Sequence, residues 1–458
     1  MGLMSVLPLA AKALRLSRAR GRRMAGFAAL PTAAALLAGL TAAAIAAPLP
    51  EPDDMSYLRA CSAYGDGYFA VPGFDTCLRI SGHARGDVYG GGSVYARTIG
   101  SRRYKSYSQL GRGVVEFSTM SDTKYGPLHT YIKFGDTWQD GAAATFSNDL
   151  NGGNGQLGFA YIELGGLRVG LDETIFAYWT GYYGDVMNDS VLNPAQTRTN
   201  VLSYTFNLPN GFSAIIGAEQ GNTAGADNIS YFNGETGQFT QTNQPGGFRF
   251  GRDGRQIYRK LSTETKNYLP NLLAGVKYEQ KWGTIAAVLA YDAYNSELAA
   301  KMRLDVNITD KISVFAMGGY KTMGDYYNYD TSYGDNGARL ITAHGSTGAP
   351  AYRLGIYRQV NSLYGDWGGH AIAWLGSSYQ LNPKTSLNLE QAYDTSRNFY
   401  ATTNMTHIIA NGLTLSTELS FINWGDRTSH RTAGGTIYSA PLRGKNAVQG
   451  SLRFNKEF

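Results

Sequence analysis

"AVQGSLRFNKEF", residues 447–458, puts Val448, Leu452, Phe454 and Phe458 on one side of an extended chain and Gln449, Ser451, Arg453, Asn455 and Glu457 on the other. A soluble sheet would turn the apolar side toward a core, and an edge strand of such a sheet is the alternative reading. A strand that closes a barrel around water in a bilayer would do the reverse, with its greasy side in lipid and its polar side in a lumen. Closure also removes the unpaired edge that a last strand otherwise exposes. Lys456 breaks the apolar side and is expected to snorkel toward the headgroups, and the sequence stops on the aromatic Phe458.

The same period of two recurs through the chain. "LRISGHARGDVY", residues 78–89, sets Leu78, Ile80, Gly82, Ala84, Gly86 and Val88 against Arg79, Ser81, His83, Arg85, Asp87 and Tyr89. Alternating segments fall at 77–89, 107–120, 127–138, 155–165, 166–172, 199–207, 212–221, 268–280, 283–295, 299–308, 311–322, 369–380, 384–396, 399–410, 413–424 and 446–458, an even set of sixteen. Short connections such as "LPNG", "KWG", "NP" and "NG" carry the residues tight hairpins want. Long ones (90–106, 139–154, 173–198, 222–267, 323–368, 425–445) mostly alternate with them, although two positions expected to be long, near 296–298 and 397–398, are short. Turns at one end and loops at the other predict an all-β fold, a 16-stranded antiparallel transmembrane β-barrel. A propeller would show a blade repeating at fixed period, and none is visible. The 57 Gly, 32 Tyr and 19 Phe suit strands and turns, and beyond the N-terminus no apolar run approaches the ~20 residues of a spanning helix.

The first fifty residues contain no Asp or Glu. Lys12, Arg15, Arg18, Arg20, Arg22 and Arg23 precede the apolar run Met24–Ala47, which ends in an A-x-A site at Ala44–Ala46. This predicts a secretory signal peptide over 1–47, with translation starting at Met1 or Met24; a retained anchor is the rival, disfavoured by Gly26, Pro31 and Gly39. Its removal takes six of the 41 Lys and Arg and leaves 35, equal to the 35 Asp and Glu. The basic character thus belongs to the export signal, and a nucleic-acid partner has no clustered footprint to bind. In an oxidising envelope the only two cysteines, Cys61 and Cys77, read as a disulfide closing a short loop worth about 3 kcal/mol. Zinc is the rival there, with no further cysteine or nearby histidine pair to complete a tetrahedron. The organisation expected is a signal peptide at 1–47, a periplasmic lead-in at 48–76 closed by the disulfide and without a plug domain, and a barrel at 77–458.

No catalytic or cofactor signature stands out. "GNGQLG", residues 153–158, matches G-x-G-x-x-G but reads as loop followed by strand, without the helix a phosphate site needs. "HGSTG" from His344 is not a nucleophile elbow. The six histidines are scattered, so no metal and no cofactor is expected. A triad assembled from separate strands leaves an outer-membrane lipid or ester hydrolase as the alternative function.

The residues "CSAYGDGYFAVPGFDTCLRISGHARGDV", "FAYIELGGLRVGLDETIFAYW" followed by "QTRTNVLSYTF", and "LRFNKEF" resemble those of the alphaproteobacterial porins, sixteen-stranded trimeric general-diffusion channels of the bacterial outer membrane. The resemblance runs from Cys61 to Phe458 and is weakest in the loops. It implies a homotrimer in outer-membrane lipid, without enzyme activity, that passes ions and small hydrophilic solutes. It also implies an inward-folded constriction loop after the fifth strand, here Asp172 to Arg198, carrying Asp172, Glu173, Asp185 and Asp189. The opposing basic wall is expected from Arg79, Arg85, Arg112, Lys133, Arg168 and Arg198, while Arg112 and Glu116 share a face and can pair. Phe454 and Phe458 would form the barrel-closing terminus. Interfacial aromatic belts are expected from Tyr89, Tyr107, Trp138, Tyr278, Trp282, Tyr291, Trp374, Tyr379 and Trp424.

Overall fold

The structure, a computed structural model, describes residues 61–140, 142–144, 157–182, 184–193, 198–222, 227–265, 268–334, 337–342, 348–359, 362–426 and 429–458. The expected signal segment, the lead-in as far as residue 60, and Gly153–Gln156 of the glycine motif lie outside them. Leu157 and Gly158 of that motif open a strand.

Sixteen strands form one closed antiparallel barrel: β1 Cys77–Gly92, β2 Arg103–Thr123, β3 Gly126–Gln139, β4 Leu157–Leu164, β5 Leu167–Glu173, β6 Arg198–Asn207, β7 Phe212–Glu219, β8 Asn271–Gln280, β9 Gly283–Asp292, β10 Glu297–Thr309, β11 Ile312–Lys321, β12 Ala371–Asn382, β13 Thr385–Asp394, β14 Phe399–Ala410, β15 Leu413–Asn423 and β16 Asn446–Glu457. Each pairs with its sequence neighbours. The ring closes where β16 pairs with β1, Asp87 opposite Arg453 and Val88 opposite Leu452. All sixteen alternating segments became strands, with ends displaced by a few residues; the second begins at Arg103 instead of 107. The "LPNG" turn folds as anticipated, with Asn210 and Gly211 both at positive φ (62° and 81°), the conformation that matches hairpin twist.

Burial is inverted relative to a soluble sheet. On β16, Val448 is 51% exposed and Phe454 45%, whereas Gln449 is fully buried. On β13, Leu387 and Leu389 are exposed and Asn388 and Glu390 are buried. In water such an exposed apolar band would be costly at roughly 25 cal/mol per Å²; in lipid it is the favoured surface. Lys456 reaches the rim and donates to the Asn411 and Glu457 carbonyls. Tyr107, Trp138, Trp282 and Tyr379 stand exposed on the outer surface as the belt reading expects. Trp374, Trp424 and Tyr89 do not: the two tryptophans are buried and Tyr89 donates to Asp87 on the inner wall. These three are corrections, because phase in the strand, not aromatic type, decides the side.

The connections 222–267 and 323–368, long and rich in Gly, Asn and Tyr and of a conformation the sequence leaves open, supply most of a second sheet. Strands Asn228–Asn233, Gln238–Phe250, Gln256–Lys260, Tyr327–Tyr329, Ala338–Thr342 and Ala351–Arg358 join Ser429–Arg431 and Ile437–Ser439 from the 425–445 connection. Phe248, Tyr329, Leu354, Ile356 and Tyr438 form its buried core. At the short-turn end, Cys61 and Cys77 are disulfide-bonded with Cα atoms 6.1 Å apart, and Phe69–Ala70 pairs with the start of β1.

Candidate channel lining

Alternation turns most of the ionic residues of β16 and β1 to β5 toward the enclosed space; Asp136 of β3 and Lys456 of β16 are on the outward phase. Asp87 is the hub of the closing seam: its carboxylate accepts from Arg453 at 2.9 and 3.0 Å and from the Tyr89 hydroxyl at 2.6 Å, and lies 3.2 Å from Arg85. Arg112, register partner of Arg85, donates to Thr137 at 2.9 Å. Glu116 pairs with Lys133 at 2.9 Å, not with Arg112 as the shared face suggested, because Lys133 is directly opposite it on β3. Arg168 sits between Glu163 (2.8 Å) and Asp172 (2.6 Å). Arg79 lies over the Tyr68 ring, whose hydroxyl bonds Ser118 at 2.6 Å.

After β5 the chain leaves the wall. Thr174 caps the one-turn helix Ile175–Tyr178, and Glu219 at the end of β7 accepts from the Thr174 hydroxyl, the Ile175 amide (2.6 Å) and the Tyr364 hydroxyl (2.9 Å). Ile175 and Trp179 pack against β7 and β8 where glycine leaves room: a Cβ at Gly217 would lie 2.2 Å from Ile175 Cδ1, and one at Gly275 would lie 2.6 Å from Trp179 Nε1. Further along, this segment bonds to strands on the other side of the ring. Glu418 of β15 accepts from the Met187 and Asn188 amides, Tyr400 donates to the Asn188 carbonyl at 2.6 Å, and Trp374 donates to the Leu192 carbonyl at 3.0 Å. Asn388 and Asn404 donate to the Asp185 carbonyl at 3.2 and 2.6 Å. The segment shares a buried apolar cluster with inner-face residues such as Leu273, Val288 and Phe315.

Several expected site residues are placed differently. Asp172 and Glu173 end β5 instead of belonging to the following loop, since their pairing with Thr199 and Arg198 extends the strand. Asp185 and Asp189 do lie in that loop. Arg198 opens β6 and donates to the Leu157 and Gly158 carbonyls. Phe454 and Phe458 face outward, and the Phe458 backbone bonds Gly82 of β1. Sequence reasoning missed Glu219, Glu418 and Asp87 as organising carboxylates; their inward phase was visible, their partners across the ring were not. Among the described residues no group of three or more His, Cys, Asp or Glu is placed to hold a metal ion.

Comparison with known proteins follows the same lines. Residues 44–451 match the porin subfamily. The chain is 35% identical over 433 residues to porin Omp2b of Brucella canis, covering 94% of this chain and 98% of that protein, and equally identical to Omp2b of Brucella suis biovar 1. The chain is a porin. It also shares its fold with the outer membrane channel DcaP of Acinetobacter baumannii, at 13% identity and a TM-score of 0.50 over 84% of this chain and 97% of that one. The porin is thus a channel-forming, non-enzymatic protein of the outer membrane, through which ions and small solutes diffuse. The hydrolase alternative gains no support from these relatives.

Proposed function

We propose that the segment after β5, residues 174–182 and 184–193, is the constriction of this diffusion pore, narrowing the lumen from β5 toward β13–β15. The observation that carries this reading is the pair of amide bonds from Met187 and Asn188 to Glu418, an inward-facing residue on the far side of the ring from where the segment departs. Asp185 and Asp189 would border the opening, opposite a wall of Arg79, Arg85 and Arg112, so that passing ions meet a transverse field, whereas Lys133 and Arg168 are offset by their carboxylate partners. Neutralising both acids (Asp185→Asn with Asp189→Asn) is expected to shift the reversal potential in asymmetric KCl toward anions. An unchanged reversal potential would remove these residues from the eyelet.

The expected signal peptide at 1–47 fits export, and the disulfide-closed lead-in would then lie at the periplasmic end with the short turns. We also read the porin as a homotrimer packed through the seam. Gly86, Gly90, Gly111, Gly113 and Gly450 on the outer surface of β1, β2 and β16 have nothing within 4 Å of an added Cβ, leaving a shallow strip that favours close protein contact over lipid. Asp136, opposite Gly113, points outward beside it and is better accommodated in an interface than in acyl chains. Gly86→Trp is expected to convert the sedimenting trimer to monomer; a trimer that survives would place the interface elsewhere.

A further inference from the structure

Half-buried aromatic rings form a row on the inner wall of β3 and β4 that the pairing of charges does not require. Tyr131 and Tyr161 are direct register partners with ring centroids 5.4 Å apart, and Phe159 continues the row 6.5 Å from Tyr131. The Arg168 guanidinium extends it, 4.6 Å from the Tyr161 centroid and 5.4 Å from that of Tyr178 in the segment after β5. The row therefore runs from the proposed constriction along the channel wall, and the rings retain accessible surface there.

The polar groups around these rings set the ligand class. Arg168 is neutralised by Glu163 and Asp172, Lys133 by Glu116, and Glu116 also takes the Tyr131 hydroxyl. A charged solute would have to displace one of these partners. A neutral polyol would not: its hydroxyls donate to carboxylate oxygens and accept from guanidinium and ammonium groups, while the C–H face of a pyranose lies on a ring. We propose that this wall is a binding track for neutral saccharides, which retains them during passage instead of merely admitting them by size. The track rests on the channel reading.

The test uses single channels of the refolded porin in planar bilayers with KCl, adding maltotriose, or a polyethylene glycol of matched hydrodynamic size as control. The trisaccharide is expected to give resolved current blockades and the glycol none. Tyr131→Phe with Tyr161→Phe, which keeps both rings, should retain the blockades, whereas Tyr131→Ala with Tyr161→Ala should shorten them about tenfold. Should the alanine pair fail to insert, the contrast between trisaccharide and glycol in the unaltered channel decides alone. Blockades equal for the two solutes, or unchanged in the alanine pair, would overturn the track while leaving the channel intact. Absence of KCl conductance before any sugar is added would overturn both.

Discussion

Asp87→Ala is expected to destabilise the barrel more than any other single change on the inner wall and to turn its selectivity toward anions. The carboxylate is 2% exposed and lies between two guanidiniums, Arg85 and Arg453, with the Tyr89 hydroxyl as a further donor. Its removal leaves like charges facing each other across the pair of strands that closes the ring, where no other strand can substitute. Breaking a buried pair of this kind costs about 3–5 kcal/mol. Lumen water reaching the two arginines, whose side chains are 16% and 19% exposed, should hold the loss near the lower figure. Urea midpoints of folded barrel, read from heat-modifiable electrophoretic mobility, measure the first effect, and the reversal potential measures the second. Asp87→Asn, which retains an acceptor oxygen, should recover part of the stability but none of the charge. Equal stability of the alanine variant would mean that the seam is held by its backbone ladder alone.

Glu418→Ala is expected to release the segment after β5 without unfolding the barrel. The Met187 and Asn188 amides would lose their acceptor, and each buried amide left without one costs about 1–3 kcal/mol. Asn404 and Ser420, which also donate to this carboxylate, would be left to partner each other or water. The other end would stay fixed through Glu219, Ile175 and Trp179, so the segment should swing instead of leaving the lumen. Single-channel records should then show larger, noisier conductance and earlier voltage-dependent closure. Steady conductance at the unaltered level would show that the apolar packing of Val186 and Leu192 holds the segment without the carboxylate.

The distance between sequence and structure is instructive at particular residues. Period two placed all sixteen strands because a barrel wall imposes one environment on each side along its whole length. It was clearest on β16 and β1, where lipid and water lie on opposite sides, and weakest on β8 and β9. There Leu273, Val288 and Ala290 face inward yet are apolar, since they meet Ile175, Phe176 and Trp179 rather than water. Trp374 misled for the same reason: an aromatic near a strand end suggests an interface, but this one lies on the inner side against Trp367 and donates to Leu192. Asp172 and Glu173 looked like loop residues because the strand pattern fades where β5 pairs with Thr199 and Arg198. Glu219 and Glu418 were legible as inward carboxylates, but no local pattern reveals an acceptor whose donors come from another part of the ring. The second sheet was invisible for a related reason: most of its strands are short and several pair only with distant segments, as Phe248 does with Tyr327, 79 residues on.

A cysteine scan of β3 probes the orientation of the wall most directly. Single cysteines at Tyr131, Ile132, Lys133 and Phe134, in porin reconstituted in lipid, are offered a membrane-impermeant thiosulfonate and, after fluorophore labelling, a quencher carried on lipid acyl chains. Positions 131 and 133 should react with the aqueous reagent and escape quenching, and positions 132 and 134 should be quenched. Aqueous reactivity at 132 and 134 with quenching at 131 and 133, or one uniform response at all four, would contradict a polar lumen enclosed by a lipid-facing wall.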